Sequence, residues 1–288
     1  MTLEEAIIEL IRRTSTDLSP DVEEALRGWY RKEKKGSVAK NVLKTVLDNV
    51  ALAREQSTPV CQDTGTPIFY VKIPQGTDDR TVEKAIVKAA RKATKLSTLR
   101  PNAVCPITGS NSGDNTGNGF PVIHIHHWKK DSFRFDLLLK GGGSENVGIQ
   151  YKLPNAALGA GRDLDGVRKV ILDAVVQAGG LGCSPGVLGV VIGGDRSSAY
   201  SLSKELFLKK LGERSPDPVL AKLEKEMLAK ANSLDIGPMG LSGKTTVFDV
   251  KIASLHRVPA SFFVTVSYGC WAVRRRGMTY RDDKARFL

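Results

Sequence analysis

The stretch that most restricts the fold is LGCSPGVLGVVIGGD, residues 181–195: a glycine-rich loop, a short apolar run and another glycine loop. The central run has no polar side chain and is rich in Val and Ile. Such a run reads as a short buried strand. Other elements must cover it. LDGVRKVILDAVVQA (164–178) repeats apolar residues at helical spacing and is closed by Gly179-Gly180. Two more helices are predicted, over about 197–211 and 218–231. Helices and strands alternate without a strict βαβ rhythm. The expected class is therefore α+β, with mixed or mostly antiparallel sheet and several packed helices in a single large domain.

The remaining elements follow the same rules. Residues 1–56 read as helical, with Ser19-Pro20-Asp21 as a helix start. PIFYVKI (67–73) is a strand, and 78–96 an amphipathic helix. RPNAVCPITGSNSGDNTGNG (100–119) is almost all turn formers, the composition of a functional loop. FPVIHIHHW and SFRFDLLLK then alternate around Lys129-Lys130-Asp131, which predicts a β-hairpin. TTVFDVKIASL and SFFVTVSYG are two late strands, followed by CWAVRRR and a polar tail over about 277–288.

The formal net charge is +12 in 288 residues. Such an excess suits a nucleic-acid binder or an anionic ligand. The lysines and arginines are dispersed, however, Arg274 to Arg276 among them. No basic stripe interleaved with aromatics occurs, so the expectation is a solvated basic surface with room for a dianion site. A nucleic-acid-binding module with incidental cysteines is the reading from another class. No run of about 18 apolar residues is present, and MTLEEAIIELIRR lacks the features of a signal peptide. A cytoplasmic protein without a membrane span is expected.

Four scattered cysteines and no C-x-x-C exclude a zinc ribbon and argue against a disulfide framework. Cys61, Cys183 and Cys270 each stand at an element boundary among glycine or polar residues, where thiols from distant segments can converge. Cys105 lies between Val104 and Pro106. Three converging thiolates would leave an iron–sulfur cluster one protein ligand short, and thus an open iron. Three unrelated buried cysteines is the alternative. His124 and His126 share a strand face, as zinc ligands or as solvated side chains. His256 stands at a strand end. GPMGLSGKTT (237–246) has Pro238 where a phosphate loop needs glycine, so nucleotide binding is rejected, though Lys244 can serve an anion. Arg100 can clamp a carboxylate, and Gly141 to Gly143 offer open backbone N–H groups.

Taken in order, CQDTGTP, LRPNAV, NTGNG, KGGGSEN, GGLGCSPG, DIGPMGLSGKTT and GCWAVRR resemble the signatures of class I (iron–sulfur) fumarate hydratases and the related L-tartrate dehydratases, most closely their α subunit. The likeness runs from about residue 40 to 276. It implies that Cys61, Cys183 and Cys270 hold a [4Fe-4S] cluster whose fourth iron binds malate. It implies also that Gln62, Arg100 and Gly143 bind substrate carboxylates, that Asp63 lies near the leaving hydroxyl, and that His256 is close to the site. Single-chain members carry a further domain with the proposed base. The expectation is that a β subunit completes the site, in an assembly with two copies of each chain. Ser144-Glu145-Asn146 and Lys244-Thr245-Thr246 resemble the fumarate-acting members more than the tartrate-acting ones.

Overall fold

The computed structural model describes residues 1–288. Three helices open the chain, α1 (Leu3–Thr16), α2 (Pro20–Lys32) and α3 (Val38–Gln56). Then come β1 (Thr66–Pro74), α4 (Asp79–Lys95), β2 (Val122–Trp128), β3 (Phe133–Lys140), the single turn α5 (Gly142–Asn146), β4 (Ile149–Lys152) and α6 (Leu164–Ala178). The remainder is β5 (Gly186–Gly193), α7 (Arg196–Glu205), α8 (Pro218–Asn232), β6 (Val247–Leu255), β7 (Phe263–Gly269), β8 (Arg274–Arg281) and β9 (Lys284–Phe287). The chain forms two compact units. Unit one is Met1–Ser19, Asp48–Gly142 and Ala272–Leu288; unit two is Pro20–Leu47 and Gly143–Trp271. Each contains one mixed sheet with helices against it, which is the expected α+β class.

Unit one holds a five-stranded sheet in the order β2-β1-β3-β8-β9. Its inner face presents Phe69, Val71 and Ile73 from β1 and Phe135, Leu137 and Leu139 from β3, each set at period two. Helix α1 covers that face with Ala6, Ile7, Leu10 and Ile11, and α4 with Val82, Ile86, Ala89 and Ala93. These are the i, i+4 stripes of amphipathic helices. Helix α1 begins with a capping box: Thr2 Oγ1 accepts the Glu5 N–H at 3.2 Å, and Glu5 accepts the Thr2 N–H at 2.9 Å.

Two expectations are corrected here. Strands β2 and β3 do not form a hairpin, because β1 lies between them, parallel to β2 and antiparallel to β3. Residues 67–71 of β1 are all buried, so that strand needs partners on both edges. Strand β2, with His126 and His127 exposed, is fit for the edge. There His124 stacks on Tyr70 at 4.9 Å, and His127 contacts Asp79 at 2.9 Å. The polar tail is likewise ordered: β8 and β9 form a hairpin that extends the sheet.

Unit two holds a four-stranded sheet in the order β4-β7-β5-β6, with only the β5–β6 pair parallel. All eight residues of β5 are buried, as the GVLGVVIG run predicts. Helices α6 and α8 cover one face with Val167, Val170, Ile171, Leu223 and Met227; α7 packs on Val191 through Ala199. A Cβ on Gly189 would stand 2.0 Å from the Ser203 carbonyl oxygen, so glycine there sets the approach of α7. No helix is long and apolar enough to cross a membrane.

Candidate active site

In unit one the chain leaves α3 and reaches β1 through Cys61-Gln62-Asp63-Thr64-Gly65. Asp63 is the node of this turn. Its Oδ1 accepts the Gly65 N–H at 2.9 Å and an Asn102 Nδ2–H at 3.4 Å, while Oδ2 accepts the Gly142 N–H at 2.7 Å. Gly65 has φ +79°, and a Cβ there would stand 2.6 Å from the Lys140 carbonyl, so only glycine fits. Thr64 is buried, and its Oγ1 accepts from the Arg100 N–H at 3.0 Å and from Asn102 at 3.3 Å.

The long polar loop is the other half of this brace. Asn115, buried at φ +58°, accepts the Asn102 N–H at 2.7 Å and donates to the Arg100 carbonyl at 2.8 Å and to Thr94 Oγ1 at 2.9 Å. Arg274, only 1% exposed, donates from Nη1 to the Asp63 carbonyl at 2.7 Å. Around this fixed backbone Cys61 is half-buried, and Gln62 and Arg100 are exposed. Sequence reading put Arg274 on a solvated basic surface. It is instead buried, as is Arg275, which donates to Ser19 Oγ at 2.7 Å. The only sequence signal was position: Arg274 continues the apolar Trp271-Ala272-Val273 run into a central strand.

In unit two Cys183 and Cys270 come to the same end of the sheet. Cys183 has φ +56°, a left-handed conformation unusual for a non-glycine residue. Its N–H donates to the Gly180 carbonyl at 3.1 Å, and its carbonyl accepts the Trp271 N–H at 3.1 Å. That second bond ties the Cys183 turn to the residue after Cys270. The loop rejected as a phosphate site is a further brace. Ser184 Oγ donates to the Gly237 carbonyl at 2.7 Å and accepts the Gly240 N–H at 3.2 Å. Lys244 is exposed on this loop. Thr245 donates to Glu33 at 2.6 Å, and the Thr246 N–H to Asn232 at 2.7 Å, so the two threonines hold the loop in place. Gly143 is exposed on α5; a Cβ there would lie 3.5 Å from the Leu181 carbonyl oxygen, just ahead of the Cys183 turn.

Tyr268 lies under this turn. Its ring fills the space left by two glycines, since a Cβ on Gly182 would stand 2.7 Å from the ring and one on Gly186 2.2 Å from it. The hydroxyl is buried and has no hydrogen-bond partner in the protein. Burial pushes the phenol pKa up, and the charges of Cys270 and Cys183 push it further. An unsatisfied buried O–H is costly. A sulfur acceptor held by Cys183 and Cys270 would satisfy it. None of the four cysteines forms a disulfide. Thiol donors in polar turns with an orphaned donor beside two of them fit an iron–sulfur group. Within neither unit are three His, Cys, Asp or Glu side chains gathered as a group able to hold a metal ion.

Two residues fall elsewhere. Cys105 closes a turn of its own, with its N–H bonded to the Ser110 carbonyl and its carbonyl to the Gly109 N–H. Its thiol pKa is lowered, chiefly by a hydrogen bond from Thr108. His256 is exposed just beyond Leu255, which pairs with Gly193. Cys183 and Cys270 flank the opposite end, where Val187 pairs with Gly269. Seven or eight residues of strand separate the two ends, roughly 25 Å. Within unit two, His256 is therefore not brought to the cysteines, contrary to expectation. A strand end can be read from sequence, but which end it is cannot.

Residues 4–279 match the profile of the family described as Fumarate hydratase (Fumerase). The chain is 47% identical over 279 residues to a protein of Geobacillus stearothermophilus named putative fumarate hydratase class I, covering 96% of this chain and 54% of that one. It therefore spans about half the length of that relative. It is 38% identical over 282 residues to a Methanocaldococcus jannaschii protein named putative L(+)-tartrate dehydratase subunit alpha, covering 96% of each. To the L(+)-tartrate dehydratase subunit alpha of Escherichia coli K12 it is 32% identical over 286 residues, covering 98% of this chain and 91% of that one. The class these matches define is that of the hydro-lyases. The chain belongs to the fumarate hydratase family.

Proposed function

We propose that the chain is the α subunit of a [4Fe-4S]-dependent hydro-lyase that interconverts fumarate and malate in the cytoplasm. The observation that carries this reading is the end of the unit-two sheet. There two cysteines of a fumarate hydratase family chain flank an orphaned tyrosine hydroxyl. Cys61, Cys183 and Cys270 would hold the cluster. When bound, it supplies a Lewis acid for the hydroxyl that leaves malate or is added to fumarate.

The chain's own residues supply binding and orientation. Arg100 offers a guanidinium fork to one carboxylate, and Gln62 an amide N–H. The backbone N–H of Gly143, an exposed residue, and the ammonium of Lys244 add anion contacts. Asp63 is the group proposed to handle the proton of the departing hydroxyl, directly or through water. Three of its roughly four acceptor sites are already taken, which fixes the carboxylate and leaves one oxygen lone pair available. His256 has no part in this proposal.

Removing the proton from the carbon beside a carboxylate needs a base on the opposite side of the substrate. We assign that base to a β subunit, in an assembly with two copies of each chain. The names of the Methanocaldococcus and Escherichia relatives, both "subunit alpha", support a divided enzyme. The same names favour a second reading, L-tartrate dehydration to oxaloacetate. The test is anaerobic reconstitution with iron and sulfide, with and without the β subunit, followed by turnover of malate and of L-tartrate. Malate turnover that requires the partner supports the proposal. Robust malate turnover by the lone chain removes the divided site, and faster tartrate turnover selects the second reading. Aerobic handling should damage the cluster, with activity regained on adding iron and reductant.

A further inference from the structure

Unit one also contains a recess of about 230 Å³ lined by Arg12, Arg13, Thr16, Asp17, Arg54 and Arg276. Four guanidinium groups face one carboxylate. The volume equals that of seven or eight waters at their liquid share of about 30 Å³ each, room for a small anion. None of the residues proposed above for the hydro-lyase reaction lines it.

The arginines come from three segments and are held in place. Arg276 donates from Nη2 to Asp17 Oδ2 at 2.8 Å and to the Leu18 carbonyl at 3.2 Å, and from Nε to the Arg13 carbonyl at 3.3 Å. Arg54 Nε donates to the other Asp17 oxygen at 2.8 Å. Arg13 lies over the Phe287 ring, 4.2 Å from its centroid, and also pairs with Glu9 at 2.6 Å. Arg12 reaches Glu9 through two bonds of 2.7 and 2.8 Å. Glu9 and Asp17 thus serve two arginines each, so among the six side chains of this cluster four guanidinium groups meet two carboxylates. The repulsion is felt inside it: the Arg276 pKa is lowered, first by burial and then, against the pull of Asp17, by Arg13 and Arg54. A solvated basic surface would spread these charges apart. Here they converge on a concavity.

The geometry points to a binding site for a small multivalent oxyanion of the phosphate class. Guanidinium forks match pairs of phosphate oxygens, and converging forks suit an anion whose oxygens point several ways. A flat dicarboxylate, with charge at two poles, would use them less fully. Because the arginines lie at the ends of α1 and α3 and on β8, the bound anion would also tie these segments together. It would then stabilise unit one in proportion to its occupancy.

The experiment is calorimetric titration of the full chain with pyrophosphate, inorganic phosphate, malate and a short single-stranded RNA, at low and at physiological salt. The expected result is one pyrophosphate per chain, bound more tightly than phosphate and at least about tenfold more tightly than malate, with affinity falling as salt rises. Arg12→Gln with Arg54→Gln should weaken pyrophosphate by more than about tenfold. Both side chains are partly exposed, at 38% and 45%, so the fold should survive. Should the double variant fail to fold, Arg54→Gln alone should still lose several-fold, and Asp17→Asn should bind pyrophosphate as tightly as the parent or more so. No pyrophosphate binding, binding unchanged by Arg54→Gln, or preferential binding of malate or RNA through these arginines would each overturn the proposal.

Discussion

The Cys61 turn and the Cys183 turn are fixed by opposite means. In unit one the brace is made of polar groups reaching in from afar: the Asp63 carboxylate, Thr64, Asn102, Asn115 and the buried Arg274. In unit two the brace is made of missing side chains. Gly180, Gly182 and Gly186 let the Met239 carbonyl and the Tyr268 ring come closer than any Cβ would allow, and Ser184 closes the arrangement. The first turn should fail when atoms are taken away, the second when atoms are added. That contrast orders the mutational expectations.

The largest effect is expected in unit one. Arg274→Ala removes a nearly fully buried side chain and leaves the Asp63 carbonyl without its donor, a loss of roughly 3–4 kcal/mol by the usual cost of emptying a large buried site. A urea titration at constant m-value measures it. A loss below about 1 kcal/mol would show that the polar brace does not fix this turn.

Next comes the added methyl in unit two. Gly186→Ala places a Cβ 2.2 Å from the Tyr268 ring, and overpacking of this kind costs about 1–3 kcal/mol. The same change at Gly28, with nothing within 4 Å of its Cβ, gains helix propensity and should be neutral or slightly stabilising. Equal effects at the two glycines would erase the contrast between the turns.

What the sequence disclosed follows the same division. The buried β5, the glycine turns around it and the helices α6 and α8 were legible, because burial periodicity and glycine punctuation are local signals. The placement of β1 between β2 and β3 was not, since a parallel pair joined through a helix competes with a hairpin that looks equally good locally. Arg274 and Asn102 carry no local signal because their partners, Asp63 and Thr64, lie from 38 to 211 residues away, and the partners of Asn115 lie 13 to 21 residues away. The position of His256 depended on which end of a strand faces the cysteines, and periodicity carries no such direction.

The smallest effect on stability should come from Tyr268→Phe. It deletes a buried hydroxyl that has no partner in the chain, so the cluster-free protein should be unchanged or slightly more stable. With iron and sulfide bound, the same change should alter the cluster's reduction potential or electron paramagnetic resonance signal, because hydrogen bonds to sulfur tune both. A marked loss of stability in the cluster-free variant, or an identical spectrum in the loaded one, would remove Tyr268 from the account.

The claim that Cys61, Cys183 and Cys270 together hold the cluster is tested most directly by counting iron and sulfide. The chain and its four single Cys→Ala variants would be reconstituted anaerobically and assayed per polypeptide. Full loading is predicted for the parent and for Cys105→Ala, with little or no stable cluster in Cys61→Ala, Cys183→Ala and Cys270→Ala. Full loading of Cys183→Ala, or an empty Cys105→Ala protein, would contradict it.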